Sequence, residues 1–281
     1  MNHADGRYLE AKRTVDGRAI DRRVRDRLLD ELPDAPRIRE AGAGTGVTVP
    51  RLLDWGVTAG DYVGVDRDGD VVALARDRRA SECGGDPVAD GFRVGDLTVR
   101  FEQGDALTAF DGDRADLLVA QAFLDLVPID DALDAFADAL KPGGLVYAPI
   151  TFDGETIFQP DHPADEAVTA AYHDAIDADP GRDARAGRHL LDRCRARDGD
   201  LLAAGASDWV VHPPYPADER HFLATILDFV AEAVESRVEG ADDWLRTRRR
   251  QLDAGELSYV AHGYDVLYRV PETAAADASR R

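Results

Sequence analysis

The 281-residue sequence predicts an α/β fold, a parallel sheet with helices on both faces, and three observations carry that prediction. The run Glu40-Ala-Gly42-Ala-Gly44-Thr45-Gly46 sits between a short strand pattern and a helix pattern. A second strand pattern ends in Asp66, and further apolar runs follow at the spacing of repeated strand and helix units.

Each element follows from its residues. In residues 16–32, Ile20, Val24, Leu28 and Leu32 recur every four positions among Arg, Asp and Glu, which predicts one amphipathic helix able to cover a sheet. Pro33-Asp-Ala-Pro36 ends it. Residues 37–41 form a short strand, 47–55 a helix with Pro50 in its first turn, and Tyr62-Val-Gly-Val-Asp66 a second strand, so the unit reads βαβ. The glycines allow positive φ and close approach of a ligand to the backbone, where a side chain would cost roughly 1 kcal/mol or more. Asp66 lies about 20 residues beyond them, where a carboxylate ending the second strand can accept hydrogen bonds from both ribose hydroxyls of an adenosine-bearing cofactor.

The spacing separates two cofactor classes. A dinucleotide turn wants Gly-x-Gly-x-x-Gly, and its third glycine position is occupied here by Val47. Glycines at 42, 44 and 46 after Glu40 instead resemble the first motif of class I S-adenosylmethionine-dependent methyltransferases.

Three later segments arrive in that family's order. Residues 98–107, Thr-Val-Arg-Phe-Glu-Gln-Gly104-Asp105-Ala106-Leu107, read as a third strand entering an acidic turn. Residues 115–127, which contain Gln121 and Asp125, begin as an apolar run fit for a central strand buried on both faces. Leu140-Lys-Pro-Gly143-Gly144-Leu-Val-Tyr-Ala gives a helix end, a turn and a fifth strand, similar to the family's late Lys-Pro-Gly-Gly signature. The resemblance covers residues 37 to about 152 with good specificity and the rest more loosely. It implies a Rossmann-like seven-stranded sheet with S-adenosyl-L-methionine as cofactor. Glu40 would lie near the methionine moiety, Asp66 at the ribose and Asp105 at the adenine amino group. Gly42, Gly44 and Gly46 would form the turn, with Ala106 and Gln121 as further cofactor neighbours. Arg39 departs from the family's apolar strand position, and if it points into the sheet it requires a partner.

Outside this segment the reading is coarser. Residues 1–36 form a helical cap in which Tyr8 either covers the sulfonium or merely covers the sheet. Residues 153–182, with a helical stretch over 164–178, and residues 217–254, with Phe222, Ile226, Phe229, Val230 and Val234 on one helical face, are expected to be lid insertions in a single methyltransferase domain. A helix over 185–197, a sixth strand within 201–211 and an alternating strand over 258–270 complete the sheet; residues 273–281 read as a frayed end. Pro213-Pro-Tyr215 is not the Asp/Asn-Pro-Pro-Tyr motif of amino-methyltransferases, because His212 precedes it and it follows the sixth strand rather than the fourth.

Composition bears on setting. The formal net charge is −21, and all but Lys12 and Lys141 of the 34 basic residues are arginine. Such a surface suits molar salt, where a Debye length of about 3 Å screens like-charge repulsion; the competing reading is a polyanionic face for a cationic partner. No run approaches the roughly 18–20 apolar residues of a membrane span, and the N-terminus lacks a signal-peptide core, so a cytoplasmic location is expected. Cys83 and Cys194 lack the spacing of a disulfide framework or zinc site, so no metal is expected. A nucleic-acid enzyme needs an open basic surface, and the one basic run, Arg246-Thr-Arg248-Arg249-Arg250, reads as a salt-bridged helix face. The acceptor is therefore expected to be a small molecule. A protein or RNA acceptor, or a non-catalytic cofactor-binding module, is the alternative. Asp125, His173, His189, His221 and His262 are general-base candidates, and none is assigned.

Overall fold

The computed structural model describes residues 5–235 and 237–272. The chain begins with three short helices, α1 (Gly6–Ala11), α2 (Arg13–Ala19) and α3 (Arg22–Glu31). The single helix expected over 16–32 is thus broken. Asp21 causes the break: its carboxylate accepts hydrogen bonds from the N–H groups of Arg23 (2.8 Å) and Val24 (3.0 Å) and caps α3, while Ile20 is extended.

The glycine-rich unit follows as β1 (Arg37–Ala41), α4 (Thr48–Asp54) and β2 (Ala59–Asp66). Next come α5 (Gly69–Cys83), a hairpin of β3 (Asp86–Val88) and β4 (Gly91–Val94), and β5 (Asp96–Gln103). The central strand β6 (Ala115–Val119), α6 (Ile129–Ala139) and the 20-residue β7 (Leu140–Gln159) complete the parallel part. Beyond it lie α7 (Asp165–Asp177), α8 (Ala186–Ala196), β8 (Asp200–Ala206), β9 (Trp209–Val211), α9 (Glu219–Val234), α10 (Ala241–Ala254) and β10 (Ser258–Arg269). The expectation for 273–281 lies outside the described residues.

The strands form one sheet in the order β3-β4-β5-β2-β1-β6-β7-β10-β8, with β9 paired to β10. Strands β5, β2, β1, β6 and β7 are mutually parallel, and β10 runs antiparallel to both β7 and β8. The seven expected strands are present in this order. Three short ones are added: the β3–β4 hairpin, antiparallel on the edge of β5, and β9. The Lys-Pro-Gly-Gly turn survives as an interruption of the β6–β7 ladder, which pairs Ala115 with Leu140 and resumes at Leu117 with Leu145.

Burial on both faces explains the apolar run of β6. Leu118 packs with Leu133, Phe136 and Leu190 from α6 and α8. Leu117 and Val119 face the other way, toward Val24, Leu52 and Val72 from α3, α4 and α5. A third cluster lies beyond the sheet, where α1, α7, α9 and α10 meet the far halves of β7 and β10 around Phe158, Phe222, Trp244 and Tyr259. Residues 153–159 were expected in an insertion, but they extend β7, because Phe152 and Phe158 supply apolar surface to this cluster.

Arg39 is 4% exposed and has the partners its burial demands. Its guanidinium pairs with Asp113 and with Asp61 at 2.9 Å, and it donates to the Ile38 carbonyl at 2.7 Å.

Candidate cofactor and acceptor site

The carboxyl ends of the parallel strands open into a cavity of about 310 Å³ that continues under α1, α7 and α9. This is where an open α/β sheet places its ligand, at the point where strand order reverses between β1 and β6.

At the strand end the wall is polar and backbone-rich. Gly42 has φ +66°, and a Cβ there would lie 2.6 Å from the Phe123 ring, so both conformation and space require glycine. Gly44 donates its N–H to Asp66 Oδ2 at 2.9 Å, tying the turn between β1 and α4 to the end of β2. Gly46 also has positive φ, but a Cβ there would run into the Phe101 ring; it lies behind the turn and does not line the cavity. Glu40, Gly42, Gly44, Asp66, Asp105, Ala106 and Gln121 do line it. Seven of the eight sequence-derived positions thus share one wall, and Gly46 serves packing.

Glu40 is buried, and its carboxylate accepts hydrogen bonds from Thr48 Oγ1 at 2.7 Å and from the Tyr62 hydroxyl. Burial pushes its pKa up to about 7, against these hydrogen bonds and the nearby Arg51, which favour the charged form. Asp105 accepts from the Leu107 N–H (3.0 Å) and from Arg67 (2.8 Å), and these contacts hold its carboxyl below the usual range, the Leu107 bond first. Gln121 accepts from Arg51 and donates to Asp16 Oδ2 at 2.9 Å. Ala122, next along, is held at φ +46° with its N–H on the Pro149 carbonyl, a strained turn at the mouth of β6.

Sequence reasoning missed much of the other half. Lys12, Phe152, Tyr172, Arg182, Trp209 and Tyr259 also line the cavity. Asp16 organises part of this wall from α2: it is fully buried, pairs with Lys12 at 3.3 Å, and accepts the Trp209 indole N–H at 2.9 Å. The one available signal for Lys12 was its being one of only two lysines in a chain that otherwise uses arginine. Tyr8 reaches the cavity from α1, stacked on Phe222 at 5.8 Å and edge-on to Phe229 at 5.3 Å. Glu219, at the start of α9, accepts from Thr14 Oγ1 (2.7 Å) and Arg18 Nη2 (3.0 Å) and fastens the N-terminal helices to this roof.

Of the general-base candidates, Asp125 alone lines the cavity. His173 shares a hydrogen bond with Thr156, His189 with Asp183, and His262 with Asp208, while His221 lies in the first turn of α9. The Tyr215 hydroxyl donates to the Leu257 carbonyl at 2.7 Å, a buried structural contact. Among the described residues no group of three or more His, Cys, Asp or Glu side chains is placed to hold a metal ion, and no helix is long and apolar enough to cross a membrane.

The fold is that of the class I methyltransferases, and solved structures share it. A proposed methyltransferase from Bacillus halodurans C-125 superimposes with TM-score 0.56 at 13% identity, over 88% of this chain and 98% of that one. The YcgJ protein from Bacillus subtilis gives 0.53 at 17% identity, over 89% and 97%. A proposed sarcosine dimethylglycine methyltransferase from Galdieria sulphuraria gives 0.50 at 14% identity, over 89% and 84%. A comparison with curated proteins found no match. Residues 39–148 match the family described as a methyltransferase domain, the segment that holds the glycine turn, Asp66, Asp105 and Gln121. Residues 39–148 thus hold a methyltransferase domain, and the enzyme that this domain supports is an S-adenosylmethionine-dependent methyltransferase. The site's chemistry fits that cofactor: a glycine turn without side chains, and two carboxylates at strand ends able to accept hydrogen bonds from a nucleoside.

Proposed function

We propose that the protein transfers the methyl group of S-adenosylmethionine to a small-molecule acceptor held in the inner half of the cavity, and that the whole chain acts as one catalytic unit in the cytoplasm of a salt-accumulating cell. The observation that carries the acceptor reading is the roof. Helices α1, α7 and α9 close an aromatic chamber over the cofactor groove, which suits a compact acceptor better than a nucleic-acid strand.

When bound, the cofactor supplies an electrophilic methyl group on a sulfonium. The protein's part is binding and alignment. Asp66 receives the ribose hydroxyls with the lone pairs left beside its bonds to the Gly44 and Asp68 N–H groups, Asp105 and Ala106 border the adenine, and Glu40 faces the methionine end. Gly42, Gly44 and Gly46 set the turn, the first two on its ligand side. The lid formed by α1, α7 and α9 excludes water and holds the acceptor for in-line displacement at roughly 3–3.5 Å.

The test is incubation in molar KCl with S-adenosylmethionine labelled in its methyl group and an extract of salt-grown cells. Label moving into the small-molecule fraction supports the reading; label confined to protein or RNA sinks it.

A further inference from the structure

The inner chamber carries a group that the methyl-transfer reading leaves unused. Asp125 stands in the wall, and its Oδ1 is sealed from bulk solvent with no hydrogen-bond partner among the described residues. A carboxylate oxygen buried without a donor is costly, so such an atom, in a side chain that lines a ligand chamber, points to a donor that arrives with the ligand.

The surroundings select that donor. Phe152, Tyr172, Trp209, Phe229 and Tyr259 make the adjoining walls aromatic, which suits a flat ring. Lys12, paired with Asp16, and Arg182, paired with Asp179, lie in the same wall and already act on the Asp125 charge, so an ammonium ligand would meet cations there as well as the carboxylate. An acidic ligand would meet Asp125 itself. A neutral hydroxyl satisfies the carboxylate without either conflict.

We propose that Asp125 is the acceptor-binding residue of the inner chamber and that it receives the hydroxyl hydrogen of a neutral, ring-bearing acceptor. This rests on the chamber being the acceptor site. It goes further in naming the acceptor's chemistry. Burial raises the Asp125 carboxyl above its ordinary range, against its own backbone N–H and the nearby Arg182 and Lys12, which favour the ionised form that accepts such a bond.

The experiment uses the full chain in molar KCl and four small probes of one shape: p-cresol, toluene, p-toluate and the 4-methylbenzylammonium ion. Their affinities are measured by ligand-observed NMR with and without S-adenosylhomocysteine. The expected result is p-cresol binding about fivefold or more tighter than the other three, the effect of one well-placed hydrogen bond. Asp125→Ala should reduce the preference over toluene to less than about twofold while leaving toluene affinity and S-adenosylhomocysteine binding unchanged. Asp125→Asn, which keeps an accepting oxygen and the side-chain shape, should retain most of it and guards against a folding defect in the alanine variant. Equal binding of p-cresol and toluene by the parent, tighter binding of p-toluate or the ammonium ion, or an undiminished hydroxyl preference in a folded Asp125→Ala protein would each overturn the proposal. Probe selectivity without S-adenosylhomocysteine binding would count against methyl transfer and not against the role of Asp125.

Discussion

The backbone N–H of Gly44 donates to Asp66 Oδ2 at 2.9 Å, so the glycine turn and the carboxylate proposed to receive the ribose form one unit. Asp66→Ala removes both an anchor of the turn and the acceptor for the ribose. S-adenosylmethionine affinity should fall tenfold or more, about 1.4 kcal/mol, in calorimetric titrations. Asp66→Asn, which retains an acceptor for Gly44, should lose less.

Glu40, if it faces the methionine end as proposed, makes cofactor binding depend on pH. Its pKa rises from an ordinary 4.5 to about 7 in the folded protein, so between these values the folded state holds more protons than the unfolded one. The contribution of Glu40 to stability is therefore fully present below about pH 4.5 and is lost as pH rises through 7. Cofactor affinity should run the opposite way, rising between pH 6 and about 8 as the ionised carboxylate meets the methionine ammonium. Calorimetry and denaturant melts across this range should show both slopes in the parent and neither in Glu40→Gln; a flat parent profile would remove Glu40 from the methionine end.

The buried Arg39 makes an asymmetric prediction. Its partner Asp61 also pairs with Arg100 at 2.7 Å, and Asp113 reaches Arg37 at 3.7 Å, so Arg39→Met leaves both carboxylates with a cation. That variant should change stability by less than about 1 kcal/mol. Removing both carboxylates strands a buried guanidinium and should cost about 3–5 kcal/mol in denaturant unfolding.

Tyr8 is held between Phe222 and Phe229 and borders the chamber. Tyr8→Ala should destabilise the protein by about 3 kcal/mol or more by emptying that space, and should raise the acceptor KM more than it lowers affinity for S-adenosylhomocysteine. Tyr8→Phe preserves the ring contacts and should behave like the parent in stability.

The net charge of −21 predicts a salt requirement. Thermal unfolding midpoints should rise steadily from dilute buffer to molar KCl as repulsion is screened. Full stability in dilute buffer would refute the adaptation to salt.

The sheet was legible because its residues carry strong local signals. The alternating glycines, the carboxylate ending β2 and the apolar run of β6 are each dictated by backbone geometry or two-sided burial. The interruption in the first helix was less visible: Ile20 continues the four-residue spacing, while the capping bonds of Asp21 end the helix regardless of it. The β3–β4 hairpin escaped because so short an edge ribbon has little pattern of its own. The polar wall of the site was readable from motifs at strand ends. Lys12, Tyr172 and Trp209 were not, since they converge from helices and strands far apart in sequence and meet only when α1, α7 and β9 fold over the sheet.

Strands β7 and β10 stay paired from Leu145 with Arg269 to Gln159 with Ser258, so the same ribbon that forms the sheet's core also forms the wall of the chamber. The ligand chamber therefore has no separate melting point. It exists only while the sheet does, and any bound acceptor stabilises the central strands as directly as it stabilises the helices that touch it.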